Sequence, residues 1–168
     1  MNRFAVSIII LAVPILALGA DKSPDMSFFK HAAEGGISEV EAGKLAQEKG
    51  NSQAVKDFGA MMVKDHTAAN EKLNAIASSE GIELPTSSSV GQMASKTKLE
   101  VLSGDTFDKA YIKNQAAAHV DTATLFKKEI ASGEDAKAKA FASETLPTVQ
   151  AHLKKIRQIG SDAGVAVK

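Results

Sequence analysis

The sequence predicts an all-α protein, a four-helix bundle with one long connection between its second and third helices. Apolar residues recur at helical spacing along four long segments of the 168-residue chain, and no segment alternates as a strand would. The chain is 44% apolar and rich in Ala, Lys and Glu, which is typical of a globular helical domain. Four helices of this length are enough to enclose one hydrophobic core.

The first two helices are predicted at residues 27–49 and 53–80. Ser27 or Asp25 is the expected N-cap of the first helix, because short polar side chains accept a hydrogen bond from the free N–H groups of a first turn. Gly50 ends the first helix, and the two residues after it form a tight turn. We therefore expect these two helices to form a hairpin.

The last two helices are predicted at residues 105–132 and 134–159, with Asp105 and Thr106 capping the former. Gly133 separates them by a short turn, so they form a second hairpin. Pro147 lies inside the last helix and is expected to kink it, because proline cannot donate a backbone hydrogen bond.

A Ser- and Thr-rich segment, residues 86–104, connects the two hairpins. It is too long for an ordinary turn between helices and about right for a crossover that runs the length of the bundle. We expect it to be extended or weakly helical, with a short helix around residues 98–102. This connectivity is the ferritin-like arrangement of four helices.

The N-terminus has the pattern of a secretory signal peptide. Arg3 precedes an apolar run over residues 4–18, and small residues at Gly19 and Ala20 are followed by a polar stretch. The expected division is a signal peptide over residues 1–20 and a ferritin-like domain over 21–168, in the periplasm or secreted, with the cell envelope as a further location. The alternative is an uncleaved membrane anchor, although the run is shorter than the ~20 residues of a spanning helix.

The composition excludes several classes of partner and reaction. Twenty basic and twenty acidic residues balance, so no strong field is available to attract nucleic acid. The absence of cysteine excludes disulfides, thiolate metal sites and thiol catalysis. No phosphate-binding loop, nucleophile elbow or His-Glu-x-x-His motif is present, and we assign no catalytic residue. Any metal ligand must be His, Asp, Glu or Met.

Three of the four histidines are predicted to face the core. At ~100° per residue, His66, His119 and His152 lie close to the centres of the apolar stripes of the second, third and fourth helices, whereas His31 points to the polar side of the first. At ~1.5 Å per residue all three come out near the middle of the bundle. Converging histidines on three helices are typical of a metal site.

Two acidic residues are candidates to complete the site. Glu39 lies at the inward edge of the first helix, and Asp65, beside His66, is placed to ligate or to orient a ligand. Three His and one carboxylate suit a single Zn, Fe or Cu ion, and ligand type does not choose among them. The alternative is a hydrogen-bonded polar layer, since a histidine on an apolar face is often bonded to a carbonyl or carboxylate.

The chain resembles a bacterial family, domain-of-unknown-function family 4142, which is described as ferritin-like and often labelled predicted outer-membrane protein. The resemblance extends in order over nearly all of the chain after the leader, and it is carried by FFKHAAEGG at 28–36, EVEAGKLA at 39–46, VKDF at 55–58, MVKDH at 62–66, FDKAY at 107–111 and LPTVQAHL at 146–153. It implies a ferritin-like bundle in an exported protein. It implies no reaction.

The sequence departs from the ferritin di-iron pattern, which pairs Glu-x-x-His on two helices with a Glu on each of the others. Val63 and Val149 stand where Glu would precede His66 and His152, and His119 stands where a Glu is expected. A single-ion site is therefore favoured over a di-iron oxidase. The resulting hypotheses are a metal-binding bundle for metal handling or stress response, a structural or interaction module with no metal and an unidentified protein partner, and a metal-dependent enzyme.

Overall fold

The computed structural model describes residues 24–167, and the predicted signal peptide lies outside this part of the chain. The described residues form five helices and no strand, which confirms the all-α class. The helices are α1 (Pro24–Lys49), α2 (Gln53–Ser79), α3 (Val90–Glu100), α4 (Gly104–Ser132) and α5 (Ala136–Asp162). The four long helices are the predicted ones, and none of their ends differs from the prediction by more than three residues.

Helices α1 and α2 form one hairpin, and α4 and α5 form the other. Ser52 caps α2 by accepting a hydrogen bond from the Val55 N–H. The backbones of α1 and α2 come very close at Gly43 and Gly59, where a Cβ on Gly43 would lie 2.7 Å from the Gly59 carbonyl oxygen and one on Gly59 2.6 Å from that of Gly43. Two glycines therefore allow a helix separation that alanine would forbid.

Hydrogen bonds at the two ends of the bundle define its connectivity. The backbone N–H groups of Asn51 and Ser52, in the α1–α2 turn, each donate to the Asp108 carboxylate over 2.8 Å. Helix α4 thus begins beside that turn. At the opposite end the Glu134 N–H donates to the Asp25 carboxylate over 2.9 Å. Helix α4 is therefore parallel to α2, and the crossover spans the whole bundle, as the ferritin-like arrangement requires.

The crossover is more helical than the sequence pattern predicts. Helix α3 begins at Val90, eight residues before the expected position, because Ser89 and Gln92 form a reciprocal capping box that satisfies its first N–H groups. The predicted cap of α4 is also displaced. Ser103 is the N-cap residue, without a side-chain bond among the described residues, and Asp105 instead accepts a hydrogen bond from the Asn51 side chain.

The interior consists of two apolar clusters separated by a polar layer. Helix α5 is continuous through Pro147 and contributes to both clusters. The cluster nearer the α1–α2 turn contains Phe58, Met62, Tyr111 and Ile156, and the cluster nearer the α4–α5 turn contains Phe28, Leu73, Phe126 and Phe141. No helix within residues 24–167 is long and apolar enough to cross a membrane.

Candidate metal centre

The polar layer between the two apolar clusters contains the three inward-facing histidines. His66 on α2, His119 on α4 and His152 on α5 are exposed by only 9%, 1% and 3%. One ring nitrogen of each lies within 4.8 Å of one ring nitrogen of each of the others. The ring centroids are 5.5 to 5.8 Å apart. A small movement of the side chains would bring three nitrogens to the ~2.0–2.1 Å that a zinc ion requires.

His119 is held by its own helix. Its Nδ1 lies 2.9 Å from the Gln115 carbonyl oxygen, which can only accept, so Nδ1 carries the proton. The lone pair is then on Nε2, which is buried and has no hydrogen-bond partner among residues 24–167. A neutral imidazole with one nitrogen bonded to a carbonyl and the other free is the form in which histidine binds metals.

His152 is oriented by Asp65, across the α2–α5 contact. Its Nε2 lies 3.0 Å from the Asp65 Oδ2, so Nε2 donates and the lone pair is on Nδ1. Within the described chain, the buried Nδ1 has no hydrogen-bond partner. Carboxylate–histidine pairs of this kind fix ring orientation in metal sites and raise the basicity of the ligand.

His66 completes the group with a buried Nε2 that is unpartnered in the described part of the chain. Burial, and then repulsion from His119 and His152, lowers its pKa to about 3. Burial also lowers the pKa of His152, against the raising effect of Asp65. At neutral pH both rings are therefore neutral, and their lone pairs are available to a cation.

Glu39 lies on the outer side of this group. Its Oε1 is 3.9 Å from the His119 Nδ1, the nitrogen that already bonds to the helix backbone, and its carboxyl accepts a hydrogen bond from the Gln115 side chain. Burial raises its pKa, although His119 and Gln115 oppose the shift. Asp65 likewise contacts the outer nitrogen of His152. The three histidine nitrogens form the convergent group, and neither carboxylate belongs to it.

The remaining surroundings include residues that the sequence pattern does not single out. The Phe58 ring lies edge-on to the rings of His119 and His152, with centroids 6.2 and 6.4 Å away. Gln115 and Tyr111 are buried in α4 one and two turns before His119. A glutamine at the centre of an apolar stripe was the available signal for the first, whereas Tyr111 is indistinguishable from core. His31 is exposed and contacts Ser27.

The chain belongs to the family described as a domain of unknown function (DUF4142), whose model matches residues 16–159. No curated protein sequence matches the chain. Two solved structures have a similar fold. One is a DUF305 protein of Streptomyces coelicolor, described as a candidate secreted protein, to which the chain is 13% identical. The alignment covers 87% of this chain and 97% of that one, with a TM-score of 0.73.

The second is a DUF305 fragment from Deinococcus radiodurans, with 9% identity and a TM-score of 0.72 over 82% of this chain and 95% of that one. At such low identity these similarities establish the fold alone, and the chemistry must be inferred from the residues of the site. The comparisons therefore place the chain in a family of helical bundles, and its buried histidine group is what distinguishes one functional hypothesis from another.

Proposed function

We propose that this protein binds a single first-row transition-metal ion through His66, His119 and His152. One observation carries the proposal. In the part of the chain that the structure describes, three buried imidazole nitrogens, one from each ring, have no hydrogen-bond partner, and the three rings converge. We infer that the three unpartnered nitrogens, Nε2 of His66 and His119 and Nδ1 of His152, are the ligands.

The energetic argument favours an ion at this position. A buried polar atom without a hydrogen bond costs about 1–3 kcal/mol, so three in one layer are a substantial burden on a protein whose whole stability is about 5–15 kcal/mol. A single cation would satisfy all three at once. The second nitrogens of His119 and His152 are already held by Gln115 and Asp65, so both rings are oriented before any ion arrives.

Zn, Fe and Cu all accept imidazole nitrogen, and the donor set leaves the choice open. Asp65 orients His152, and Glu39 adds negative charge beside His119. In this proposal Asp65 supports His152 from behind, and Glu39 lies beside His119 in the wall of an adjoining cavity. This assignment refines the expectation that one of them would be the fourth ligand, because each faces a nitrogen that is unable to point toward the same ion.

We further propose that the protein is exported and handles metal outside the cytoplasm, in metal supply or stress response. The apolar N-terminal run followed by Gly19 and Ala20 supports export, and so does the description of one structural neighbour as a candidate secreted protein. The intact mass of the protein recovered from the periplasm tests this part. A mass that begins at Ala20 or Asp21 supports it, and one that retains Met1 contradicts it.

The test of metal binding is elemental analysis of protein isolated from its native compartment without a histidine tag, followed by titration of the metal-free protein. We expect one ion per chain, with binding weakened at least tenfold by His66→Ala, His119→Ala or His152→Ala. His31→Ala is the matched control and should bind as the native protein does, because His31 is exposed and does not belong to the group of converging nitrogens.

The second candidate is a structural bundle whose histidines form a hydrogen-bonded layer without metal. The bonds from His119 to Gln115 and from His152 to Asp65 favour it. It predicts that each histidine variant destabilises the fold while metal and chelator leave the melting temperature unchanged. That pattern, together with less than a tenth of an ion per chain, would overturn the proposed function.

A further inference from the structure

The two faces of the histidine group differ along the bundle axis. On the side of the α1–α2 turn, the Phe58 ring packs edge-on against His119 and His152 and closes the group. On the opposite side there is a cavity of about 30 Å³ whose walls include His66 and Glu39. An ion held by the three rings would therefore be covered by an aromatic ring on the side of the α1–α2 turn and would face a cavity on the opposite side.

The walls of the cavity include His66 and residues about one helical turn from each of the three histidines. Ala69 on α2 and Thr122 on α4 are each three residues after a histidine, and Val149 on α5 is three residues before one. Helix α5 is antiparallel to α4, so all three lie about one turn, ~5 Å, toward the same end of the bundle. The cavity thus lies on the side of the histidine group that faces the α4–α5 turn.

The cavity has a mostly apolar wall that several polar side chains interrupt, and it has room for a ligand. A site needs about 10–15 Å³ to hold a water molecule, so about 30 Å³ accommodates a water or a linear ion of two or three atoms. Glu39 lines it, and the buried Oε2 of this side chain has no hydrogen-bond partner in the described chain. Thr145 and Asn70 also line it. An apolar packing defect would be lined by apolar side chains alone.

An open groove adjoins this cavity. This groove, between α1, α3 and α4, shares with the cavity five lining residues, His31, Gly35, Glu39, Thr122 and Leu125. Helix α1 has no side chain at Gly35, and the next glycine, Gly36, leaves space that the Asn70 side chain fills, since a Cβ there would lie 1.8 Å from the Asn70 Oδ1. Small residues thus thin the wall between groove and cavity.

We propose that the fourth coordination position of the ion opens on this cavity and takes up a small exogenous ligand, a water molecule or a small anion, that arrives through the α1/α3/α4 groove. The inference rests on the proposed metal site. It distinguishes an open centre, which can exchange a ligand, from a closed structural centre, in which the protein supplies all four ligands. Glu39 is the polar group placed to bond the incoming ligand.

The test uses the full-length mature protein loaded with Co²⁺, whose visible bands respond to the fourth ligand, and azide as the probe. We expect saturable azide binding that shifts these bands. Ala69→Leu fills the cavity from α2 and should weaken azide binding at least tenfold while one Co²⁺ remains bound. Ala68→Leu is the matched control, because the neighbouring Ala68 is exposed and does not line the cavity.

Thr122→Leu blocks the same cavity from α4 and provides a second variant should Ala69→Leu fail to fold, with exposed Thr124→Leu as its control. Bound Co²⁺ whose bands ignore azide, or an azide affinity unchanged by both cavity-filling variants, would overturn this inference and leave the metal site intact. A native protein that takes up no Co²⁺ would overturn the metal site itself and this inference with it.

Discussion

Two groups of buried ionisable side chains in the described part of the bundle respond to protons in opposite directions. In the histidine group at mid-height, burial lowers the pKa values of His66 and His152, so the folded state keeps these two rings neutral. The second group is a pair of acids, Asp25 at the start of α1 and Glu129 in the last turn of α4, both less than 7% exposed. Burial, and then Asp25, raises the pKa of Glu129 to about 7.

The acid pair satisfies most of its own hydrogen bonds, whereas the histidine group does not. Protonated Glu129 donates to Asp25, and the hydrogen bonds from Glu129 and from the backbone N–H groups of Glu134 and Asp135 hold the pKa of Asp25 below its usual value despite burial. Glu129 folds under Gly133, where a Cβ would lie 2.3 Å from its Oε1. A proton bridges the acid pair, and the histidines lack any equivalent bridge. Because of this difference we assign a metal ion to the histidine group and a purely structural role to the acid pair.

The largest expected effect is stabilisation by metal. At a free metal concentration of a thousand times Kd, binding to the folded state alone adds about 4 kcal/mol, which corresponds to a rise of roughly 10 °C for a chain of this size. Calorimetry with and without chelator measures it. His119→Leu should remove the difference, and His31→Ala should keep it. An equal rise in the His119 variant would place the ion elsewhere.

The next effect is acid destabilisation of the metal-free protein. The folded pKa of His66, about 3, lies below its unfolded value of 6.5, so the unfolded state binds the extra proton and stability is lost as pH falls below about 6.5. At about 1.4 kcal/mol per pH unit, the loss should reach roughly 3 kcal/mol by pH 4.5. Urea unfolding at several pH values measures the slope. His66→Phe should flatten it, and an unchanged slope would contradict the buried neutral ring.

Replacement of Asp65 tests the orientation of His152. Asp65→Asn retains the shape and removes the charge that holds the Nε2 proton, so we expect metal affinity to fall ten- to a hundredfold with little change in the metal-free melting temperature. Asp57→Asn is the control on the same helix, because Asp57 is exposed and bonds only to Gln53 among the described residues. Equal losses of metal affinity in both variants would show that Asp65 acts only through its charge and does not orient His152.

The smallest expected effect concerns the acid pair. Because the folded pKa of Glu129 lies above its usual value of 4.5, the folded state binds the extra proton, and this contribution to stability is lost as pH rises through about 7. Glu129→Gln donates to Asp25 at every pH. It should match the native protein near pH 5 and exceed its stability by about 1 kcal/mol at pH 8.5. A variant that is less stable at pH 8.5 would contradict the shared proton.

Local sequence signals were sufficient for most of the architecture. Apolar stripes and glycine stops predicted the four long helices, and the length of the segment between the hairpins predicted the crossover. They missed the extent of α3, because Ser89 and Gln92 are common polar residues whose capping box becomes visible only once the turn is formed. They also assigned the cap of α4 to Asp105, which bonds instead to a residue 54 positions earlier in the chain.

The sequence by itself determined which histidines face inward, because helical phase depends only on spacing along one helix. Whether the rings meet, which nitrogen of each is free, and what lies beside them were decided by the tertiary structure. Asp65 contacts His152, which is 87 positions later in the chain, and Glu39 on α1 approaches His119 on α4. The pairing of Asp25 with Glu129 gave no local signal at all. Such contacts depend on the height and rotation of one helix against another, and these are fixed by packing over the whole bundle.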